Sequence, residues 1–584
     1  MGYDICLSGN VLEIGGGERP LFHPNMDIRK VDNVDIVHDL EKFPYPFSDE
    51  SFDGILGMYI IEHISWRKVK DFIKELYRLL KPGGKAVLLT ANLLEQCKRV
   101  VEAGVNEKTV EMIFGSQEFE PNYLGCHKCG FSPSYAEKLF GDMGFDVKII
   151  APMPNVYFRG YPVYPSSVTD MIIEAIKPHT SKKKDGLMVK VLRGGENAVE
   201  GKRKHYFNRE YFESDCQTRG YIHEGYRDFA CHYKAAEIVY EYARKHNCKK
   251  VLEVGSGRGY VSRILKAKGL DVTCLDISEH CYHTRVVENF VLWDMTQIPW
   301  PFKDKEFDLV FSCAVLEHIP EDKVNAVIKE MARVSSCGVH GISTTSPPYD
   351  IDDTHQTIKP LEWWQSKFEE NCPDNYIYSL MDKEMMESPP CQIPPPDGLK
   401  KINLGSFINM FYYGWENVDI IDLSDFAKVN GYIFRQLDVR KGLPYDDNSV
   451  DLIFSSHLIE HLTYNEALKL LKECNRVLRD GGVLRIATPH AKFLMKDYLN
   501  GKIRQYACIN KGVEEAETDL DALIHLLFSG HKSLYDYSKL YNMLKKAGFS
   551  KVYRMTPFKS INKVMEDQTF VSHPTISLVV DAVK

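Results

Sequence analysis

The chain contains 584 residues, of which 44% are hydrophobic and 26% are charged, and its formal net charge is −8. A chain of this length exceeds what one hydrophobic core organises and suits about three domains of ordinary size. The composition is that of a globular protein, and its acidic balance supplies no field that attracts nucleic acid. Disorder, fibres and nucleic-acid partners are therefore not expected.

The sequence contains no signal for secretion or for a membrane span. Its first ten residues lack a basic stretch followed by an apolar core, and no apolar run is long enough to cross a bilayer. The 15 cysteines lie mostly singly inside apolar segments, as Cys274, Cys313 and Cys474 do, which is typical of buried thiols in a reducing compartment. We therefore predict a cytoplasmic protein with no membrane span.

One short motif occurs three times, as a Glu-His pair between aliphatic residues at 61–64, 316–319 and 459–462. In the first copy, an apolar run at 11–14 that ends in glycines predicts a strand and a tight turn. A second buried strand is predicted at 52–56, a helix from the three- and four-residue apolar spacing at 69–80, and another strand at 86–90. This alternation predicts a mainly parallel sheet with helices on both faces.

The same order of elements recurs around the other two copies of the motif. It predicts strands at 250–254, 271–276 and 307–311 with a helix at 322–334, and then strands at 402–404, 417–420 and 450–454 with a helix at 466–478. The fold class is therefore predicted as α/β, with three tandem Rossmann-like, doubly wound sheets in domains 1–195, 196–390 and 391–584. The basic stretch 193–203 and the proline-rich stretch 388–397 are interpreted as linkers, with surface loops as the alternative.

Glycines and acidic residues follow the predicted strands, at the edge where open parallel sheets bind ligands. Glycines after the first strand let a ligand approach the backbone, and an acidic residue after the second can accept hydrogen bonds from ribose hydroxyls. The implied ligand contains a nucleoside. Because Gly255, Gly257 and Gly259 alternate, whereas the pyrophosphate fingerprint needs two residues before its last glycine, a dinucleotide is disfavoured.

The three predicted domains are called the first, second and third modules. The second module resembles a class I S-adenosylmethionine-dependent methyltransferase through this glycine loop, Asp276, Asp294 and Glu317-His318. The first module is similar over nearly its full length, and the third through Asp438, Asp451 and Glu460-His461. The resemblance implies S-adenosylmethionine as cofactor and S-adenosylhomocysteine as product. Aspartates 27 and 276 would bind the ribose, and aspartates 39 and 294 the adenine. The implied cofactor-binding residues are Glu13, Gly15, Gly16, Gly17, Asp27, Asp39 and Leu40 in the first module, and Glu253, Gly255, Gly257, Gly259, Asp276, Asp294 and Met295 in the second.

Two modules depart from the family pattern. Between Gly17 and Asp27 there is no room for a helix of ordinary length, so the cofactor wall of the first module is predicted to be a loop. In the third module Ser406, Phe407 and further bulky residues replace the glycines, and Asn403 stands where the other modules have glutamate. We therefore predict that the third module binds cofactor weakly or not at all. It would serve substrate binding or assembly, and is a candidate surface for self-association.

The acceptor side is interpreted from histidines and aromatic residues. His63 and His318 lie where the acceptor should approach, either as bases for a hydroxyl or as packing features of the family. His355 is a third catalytic candidate. The segment 352–356, followed by Trp363 and Trp364, resembles the substrate side of sugar-modifying methyltransferases, although the tryptophans could equally enter the core.

The favoured function is methylation of a hydroxyl by the first two modules, on a small-molecule or glycan acceptor such as a sugar or a polysaccharide precursor. A lipid-like or other small metabolite is the alternative acceptor, and a non-catalytic binding scaffold is the alternative from another class. A later histidine recurs as His127-Lys128 and His531-Lys532, which ties the first module to the third. The single Cys-x-x-Cys at Cys126 and Cys129 is weak evidence for zinc, and no metal is predicted.

Overall fold

The structure is a computed structural model, and it describes residues 2–115, 127–179, 207, 211–212, 230–344, 354–372, 375–379, 398–407, 410–412, 414–430, 432–528, 530–568 and 571–584. The chain divides into two compact units. The first comprises Met1–Leu192, Glu460–Tyr464 and Pro489–Leu540, and the second Arg193–Ile459, Asn465–Thr488 and Tyr541–Lys584. Both predicted linkers lie outside the described residues, so the three domain ranges stay a prediction.

The first module contains the predicted, mainly parallel sheet. Its strands are β1 (Tyr3–Asp4), β2 (Val11–Ile14), β3 (Asn25–Asp27), β4 (Ile36–Val37), β5 (Phe52–Met58), β6 (Leu80–Ala91), β7 (Asp146–Ile150), β8 (Val156–Phe158), β9 (Tyr161–Tyr164) and β10 (Asp170–Ile176). Its helices are α1 (Val69–Leu79), α2 (Leu93–Ala103), α3 (Glu107–Phe114) and α4 (Pro133–Asp142). The main sheet has the order β4-β3-β2-β5-β6-β10-β7, and β10 runs antiparallel to β6 and β7.

The helix α1 shows how the local sequence determines an element. Its apolar residues at three- and four-residue spacing are all buried against the sheet: Val69, Phe72, Ile73, Leu76 and Leu79. The apolar spacing predicts a helix that extends to residue 80 and stops at Pro82-Gly83-Gly84. The helix instead ends at Leu79, and β6 begins at Leu80 and continues through the Pro-Gly-Gly segment, since Pro82 disfavours a helical conformation in the residue before it.

The second module has a parallel sheet with the order β13-β12-β11-β14-β15-β16 among its described residues. Its strands are β11 (Lys250–Val254), β12 (Asp271–Asp276), β13 (Phe290–Leu292), β14 (Phe307–Cys313), β15 (Ser335–Ile342) and β16 (Asn375–Ser379). Its helices are α5 (Ala230–Lys245), α6 (Tyr260–Ala267), α7 (Glu279–Thr284), α8 (Glu321–Val334) and α9 (Leu361–Asn371).

The third module repeats the architecture, with the order β19-β18-β17-β20-β21-β23-β22 and an antiparallel pair β22 and β23. Its strands are β17 (Lys401–Leu404), β18 (Glu416–Asp419), β19 (Ile433–Gln436), β20 (Val450–Ser456), β21 (Leu478–Pro489), β22 (Lys551–Met555) and β23 (Ser577–Val583). Its helices are α10 (Ser424–Asn430), α11 (Tyr464–Val477), α12 (Ala491–Leu499), α13 (Lys511–Glu515), α14 (Asp519–Leu527), α15 (Tyr537–Lys546) and α16 (Lys563–Gln568). No helix in the described ranges is long and apolar enough to cross a membrane.

A charged bracket recurs in all three modules at the end of the helix after the Glu-His pair. An arginine there forms ion pairs with the glutamate three residues before it and with an aspartate in the loop that precedes the central strand of the module, which is β5, β14 or β20. The same arginine donates hydrogen bonds to two backbone carbonyls of that loop. The three brackets are Arg78 with Glu75 and Asp49, Arg333 with Glu330 and Asp304, and Arg476 with Glu473 and Asp447. This repeated contact fixes the helix to the loop that leads into the strand carrying the motif.

Within the second unit, the second and third modules share one hydrophobic cluster. Tyr260, Cys274, Val286 and Val287 of the second module pack in it with Met410, Tyr412, Trp415, Leu452, Phe454, Val483 and Met565 of the third. Several of the bulky residues that replace the expected glycine loop of the third module therefore have a structural use. They form the apolar contact with its neighbour, which accounts physically for their size and hydrophobicity.

Candidate functional site

In each module, a loop follows the first strand of the main sheet, which is β2, β11 or β17. This loop has the same backbone shape in all three modules. Two equivalent positions in each loop have positive φ angles: 76° and 55° at Gly15 and Gly17, 67° and 53° at Gly255 and Gly257, and 69° and 34° at Gly405 and Phe407. In the second module Gly259 is a third such position, with a φ angle of 85°. The left-handed region favours glycine, and a bulky residue there stores strain. The third module has therefore kept the turn while losing the residue that adopts it without cost.

Each of these loops is bonded to an aspartate at the end of the next strand of the sheet, which is β3, β12 or β18. Asp27, Asp276 and Asp419 accept a hydrogen bond from the second positive-φ residue of the loop, over N–O distances of 3.1, 2.8 and 2.9 Å. Each also accepts from the amide two residues further along its own chain segment. The sequence predicts the first two aspartates but not Asp419, because the glycines that indicate such a site are absent from the third module.

The two predicted ribose-binding aspartates differ in their charge environment. Asp276 accepts one of these bonds on each carboxylate oxygen, so that each oxygen keeps a lone pair for another donor. Burial raises the pKa of Asp276 to about 6, against the opposing effect of nearby backbone amides. Asp276 is therefore a buried carboxylate that can accept further hydrogen bonds, and no cation among the described residues forms an ion pair with it.

In the first module, Arg29 binds the acceptor positions of Asp27 that correspond to the open ones on Asp276. Its Nε and Nη2 donate to the two oxygens of Asp27 over 3.0 and 2.8 Å, in addition to the amides of Gly17 and of Arg29 itself. All four acceptor positions of that carboxylate are thus used. Burial alone would raise the pKa of Asp27, but the bonds from Arg29 and Gly17 outweigh it and hold the pKa below its usual range.

The glutamate within the first strand fixes the loop that follows. Glu13 accepts from the backbone amides of Leu21 and Phe22 over 2.6 and 2.8 Å, and the described segment between Gly17 and β3 contains no helix, as predicted. Glu253 accepts from the amide and the hydroxyl of Ser262, and burial raises the pKa of Glu253 to about 8. Asn403 fills this position in the third module and donates to the Met410 carbonyl instead.

The residues predicted to contact adenine form a turn after the third strand. Asp39 accepts from the amide of Glu41 over 3.0 Å, and Asp294 accepts from the amide and hydroxyl of Thr296, both over 2.8 Å. The residues that follow the two aspartates, Leu40 and Met295, are buried and half-buried respectively. These predicted residues lie at the same sheet edge as the glycine loops and ribose aspartates of their own modules.

Each Glu-His pair lies in a short 3-10 helix just beyond the central strand, at Ile61–His63, Leu316–His318 and Ile459–His461. The backbone carbonyl of each glutamate accepts two consecutive amides from a later segment, at 128–129, 356–357 and 532–533. This contact places a second histidine beside the first in every module. The ring centroids of His63 and His127, His318 and His355, and His461 and His531 lie 5.1, 4.5 and 4.9 Å apart.

His355 is therefore the second-module counterpart of His127 and His531, a relationship that the sequence analysis missed. The intervening segments have different lengths, and Gln356 replaces the lysine of the other two copies. The repeated signal is the histidine followed by two residues whose amides bind the glutamate carbonyl. Side-chain identity does not reveal that contact.

The residue that opens the segment after each central strand has a positive φ angle without being glycine. The angles are 54° at Tyr59, 54° at Ala314 and 53° at His457. Each of these residues donates its amide to the carbonyl of the neighbouring strand, at Leu89, Gly341 and Ala487 respectively. Backbone strain of this kind, held in place by surrounding contacts, is typical of functional sites.

The first Glu-His pair is strongly affected by burial. Glu62 is 1% exposed, accepts from the Thr90 hydroxyl over 2.9 Å, and has a pKa raised by burial to about 7. Burial, together with the neighbouring His63, lowers the pKa of His127 to about 4. At neutral pH, His127 is therefore uncharged.

In the second module, a hydrogen bond of 2.9 Å joins Nδ1 of His318 to the Thr354 hydroxyl.

The predicted aromatic wall of the acceptor side is divided between two environments. Trp364 is fully buried in the core of the second module, so the core interpretation is correct for that residue. Trp363 is half-buried, and the ammonium groups of Lys359 and Lys367 lie 5.4 and 5.6 Å from its ring centroid. The acidic part of the predicted segment, Asp352 and Asp353, lies outside the described residues.

Comparison with known proteins identifies methyltransferases that are similar to this chain. The family profile described as a methyltransferase domain matches residues 23–88, 252–340 and 417–486, one segment in each module. A demethylmenaquinone methyltransferase from Geobacillus sp. (strain WCH70) is 32% identical over 90 residues, which are 15% of this chain and 33% of that protein. The chain thus matches about a third of the length of this curated relative.

Solved structures of S-adenosylmethionine-dependent methyltransferases from Archaeoglobus fulgidus and Thermotoga maritima are also similar. They share 14% and 17% identity with this chain, cover 39% and 30% of it and 95% and 84% of their own chains, and have TM-scores of 0.21 and 0.20. At this level they carry no argument about function.

The three matched segments, with the glycine loop and aspartate at the end of parallel strands, define a class of protein. The chain contains tandem Rossmann-like domains that match the methyltransferase family at three places, consistent with a class I S-adenosylmethionine-dependent methyltransferase. S-adenosylmethionine is accordingly its cofactor, as the resemblance implied.

Proposed function

We propose that this chain methylates a hydroxyl of a sugar or polysaccharide precursor, with the second module as its main catalyst. The observation that supports this most directly is Asp276, which holds the glycine loop and keeps one lone pair on each oxygen. Two vicinal ribose hydroxyls are the donors that such a carboxylate fits. The neighbouring central strand leads directly to His318 and its partner His355.

The other two modules have lesser roles in this proposal. The first module can bind the ribose through Asp27 only after Arg29 releases that carboxylate, so it would bind cofactor more weakly than the second. The third module keeps Asp419 but has Phe407 and Asn403 where the other modules have glycine and glutamate. We propose that it is not catalytic and that it supports the second module through their shared cluster.

The bound cofactor supplies a sulfonium methyl group that a hydroxyl oxygen can attack in line. His318 is the proposed base, because the Thr354 hydroxyl fixes the ring through Nδ1. When Nδ1 carries the proton, Nε2 would take the acceptor proton as the new C–O bond forms and the bond between the methyl carbon and sulfur breaks, with S-adenosylhomocysteine as the leaving group. His355 packs edge-on against His318 and limits the orientations of its ring.

Mass spectrometry with isotopically labelled cofactor tests the proposal. The full chain would be incubated with monosaccharides and nucleotide sugars, and separately with naphthoquinones. We expect label on a sugar, and we expect His318→Gln to lower kcat while leaving cofactor affinity unchanged. His246→Gln, far along the chain in the loop after α5, is the matched control. Absence of label from every sugar, or full kcat for the His318 variant, would contradict the proposal.

A lipid-like acceptor is the second candidate, because the curated relative is named a demethylmenaquinone methyltransferase. Label on the naphthoquinone but not on a sugar would favour it. A chain that binds cofactor but labels neither panel would favour the scaffold alternative. We also propose a cytoplasmic location, supported by the free thiols among the described cysteines, while self-association through the third module stays a prediction.

A further inference from the structure

Two of the three Glu-His motifs bring together side chains of the types that bind metal ions. Glu62, His63 and His127 form one group, and Glu460, His461 and His531 form the other. In each group, one carboxylate oxygen and two ring nitrogens all lie within 4.8 Å of one another. Ligand atoms around a zinc ion at about 2.1 Å lie roughly 3.4 Å apart, a separation that small side-chain rotations would produce.

The surroundings of the first group hold its side chains in a state suited to a metal ion. Nδ1 of His127 donates to the Ile113 carbonyl over 3.1 Å, which leaves the lone pair on Nε2. Metal-binding histidines are commonly oriented by such a bond from the second ring nitrogen. The Thr90 hydroxyl fixes one oxygen of Glu62, while the buried Oε1 has no hydrogen-bond partner among the described residues.

In the second group the other histidine is oriented in this way. Nδ1 of His461, the counterpart of His63, donates to the Gly530 carbonyl over 3.0 Å, so its Nε2 keeps a lone pair. Glu460 is 1% exposed, as Glu62 is, and its backbone carbonyl accepts the amides of Lys532 and Ser533. The two groups therefore have the same ligand types on the same elements of the fold.

The second module contains the same three residue types without forming such a group. Its Glu317 carboxylate accepts from the Ser343 amide over 3.0 Å, and its His318 ring is bonded to Thr354. In the described part of the chain, groups with all ligand atoms within 4.8 Å occur only in the first and third modules. The second module therefore has the same three residue types but not the close spacing of their ligand atoms, and it provides a comparison within the same chain.

We propose that Glu62, His63 and His127 bind a divalent transition-metal ion, and that Glu460, His461 and His531 bind a second one. Two imidazoles and one carboxylate suit zinc, cobalt, manganese or iron rather than calcium, and three ligands leave at least one coordination position open. Metal occupancy does not depend on methyl transfer. If the proposed function holds, the open position of the ion in the first module would bind an acceptor hydroxyl there and lower its pKa, whereas the ion in the non-catalytic third module would have no acceptor to activate.

Metal binding to the full chain tests this inference separately from activity. Protein without a histidine tag would be stripped with a chelator, titrated with Co²⁺, and followed by visible absorption and elemental analysis. We expect two tightly bound ions per chain, one after His127→Asn, and none after His127→Asn with His531→Asn. The cobalt spectrum should show nitrogen and oxygen ligands without thiolate charge transfer. His355→Asn is the matched control and should keep both ions.

Thermal unfolding keeps the result interpretable if a variant loses stability. Cobalt should raise the melting temperature of the wild-type chain and of the His355 variant, but not that of the double variant, which circular dichroism must show to be folded. Glu62→Gln provides an independent removal of the first ion. The inference is wrong if the wild-type chain retains no cobalt, if the double variant binds as much as wild type, or if the spectrum shows thiolate ligands.

Discussion

Replacing Asp276 with alanine should remove the strongest cofactor binding by this chain. The carboxylate has one lone pair on each oxygen beyond the bonds to Gly257 and Ser278, enough for two ribose hydroxyls. A hydrogen bond to a charged group contributes about 1.5–3 kcal/mol, so two lost bonds amount to about 3–6 kcal/mol. At 1.4 kcal/mol for each factor of ten, Kd should rise between about a hundredfold and about ten thousandfold.

Isothermal titration of S-adenosylhomocysteine into the full chain measures this change. Asp271→Ala is the matched control, because Asp271 opens the same strand β12 and is exposed at its opposite end. That variant should bind like the wild type. If Asp276→Ala leaves the tightest class of sites unchanged, or if both variants weaken binding equally, the assignment of Asp276 to the ribose is wrong.

Three further results are expected. Arg29→Ala should strengthen cofactor binding by the first module, because it frees two acceptor positions on Asp27, and titration in an Asp276→Ala background would isolate that site. Cofactor binding by the second module should weaken as pH falls through about 6, by up to about tenfold per pH unit, because protonation of Asp276 removes its charge. Asp581→Asn should lower the free energy of unfolding by about 3–5 kcal/mol in urea denaturation, because it leaves Arg485, 1% exposed, without its buried partner.

Each of these results has a contradicting outcome. Unchanged affinity after Arg29→Ala would mean that Arg29 already leaves Asp27 when cofactor binds. The pKa of Asp27 lies below its usual range, so binding by the first module should stay constant at pH values where the second weakens, and a common pH profile would refute the contrast. Asp447→Asn, a change at an exposed ion pair, should cost at most about 1 kcal/mol, and a loss equal to that of Asp581→Asn would contradict the role of burial.

Much of the fold was predictable because periodicity and turn residues act locally. The strand at Asp271–Asp276 was predicted to the residue, and the helix Glu321–Val334 to within one. The parallel sheets followed from the alternation of strands and helices. The end of α1 was misplaced, since the conformational restriction before Pro82 acts upstream of the Pro-Gly-Gly segment that was taken as the stop.

The sequence predicts which residues lie at equivalent positions of the candidate site, but it does not predict which groups those residues contact. The sequence places aspartates 27 and 276 at equivalent positions, yet only the folded chain shows that Arg29 occupies one of them. Asp419 was missed because its glycine signal is gone, and the pairing of His318 with His355 because it depends on backbone amides. Interactions between distant backbone groups leave no pattern in residue type.

The shared cluster of the last two modules has a consequence for how the chain can be divided. That cluster contains the fully buried Trp415 of the third module and Tyr260 of the second, so cutting the chain between the modules would expose apolar side chains of the cluster to water. An isolated third module would then aggregate or pair with itself through that face. The third module is thus a structural partner of the second, which packs against it through this cluster.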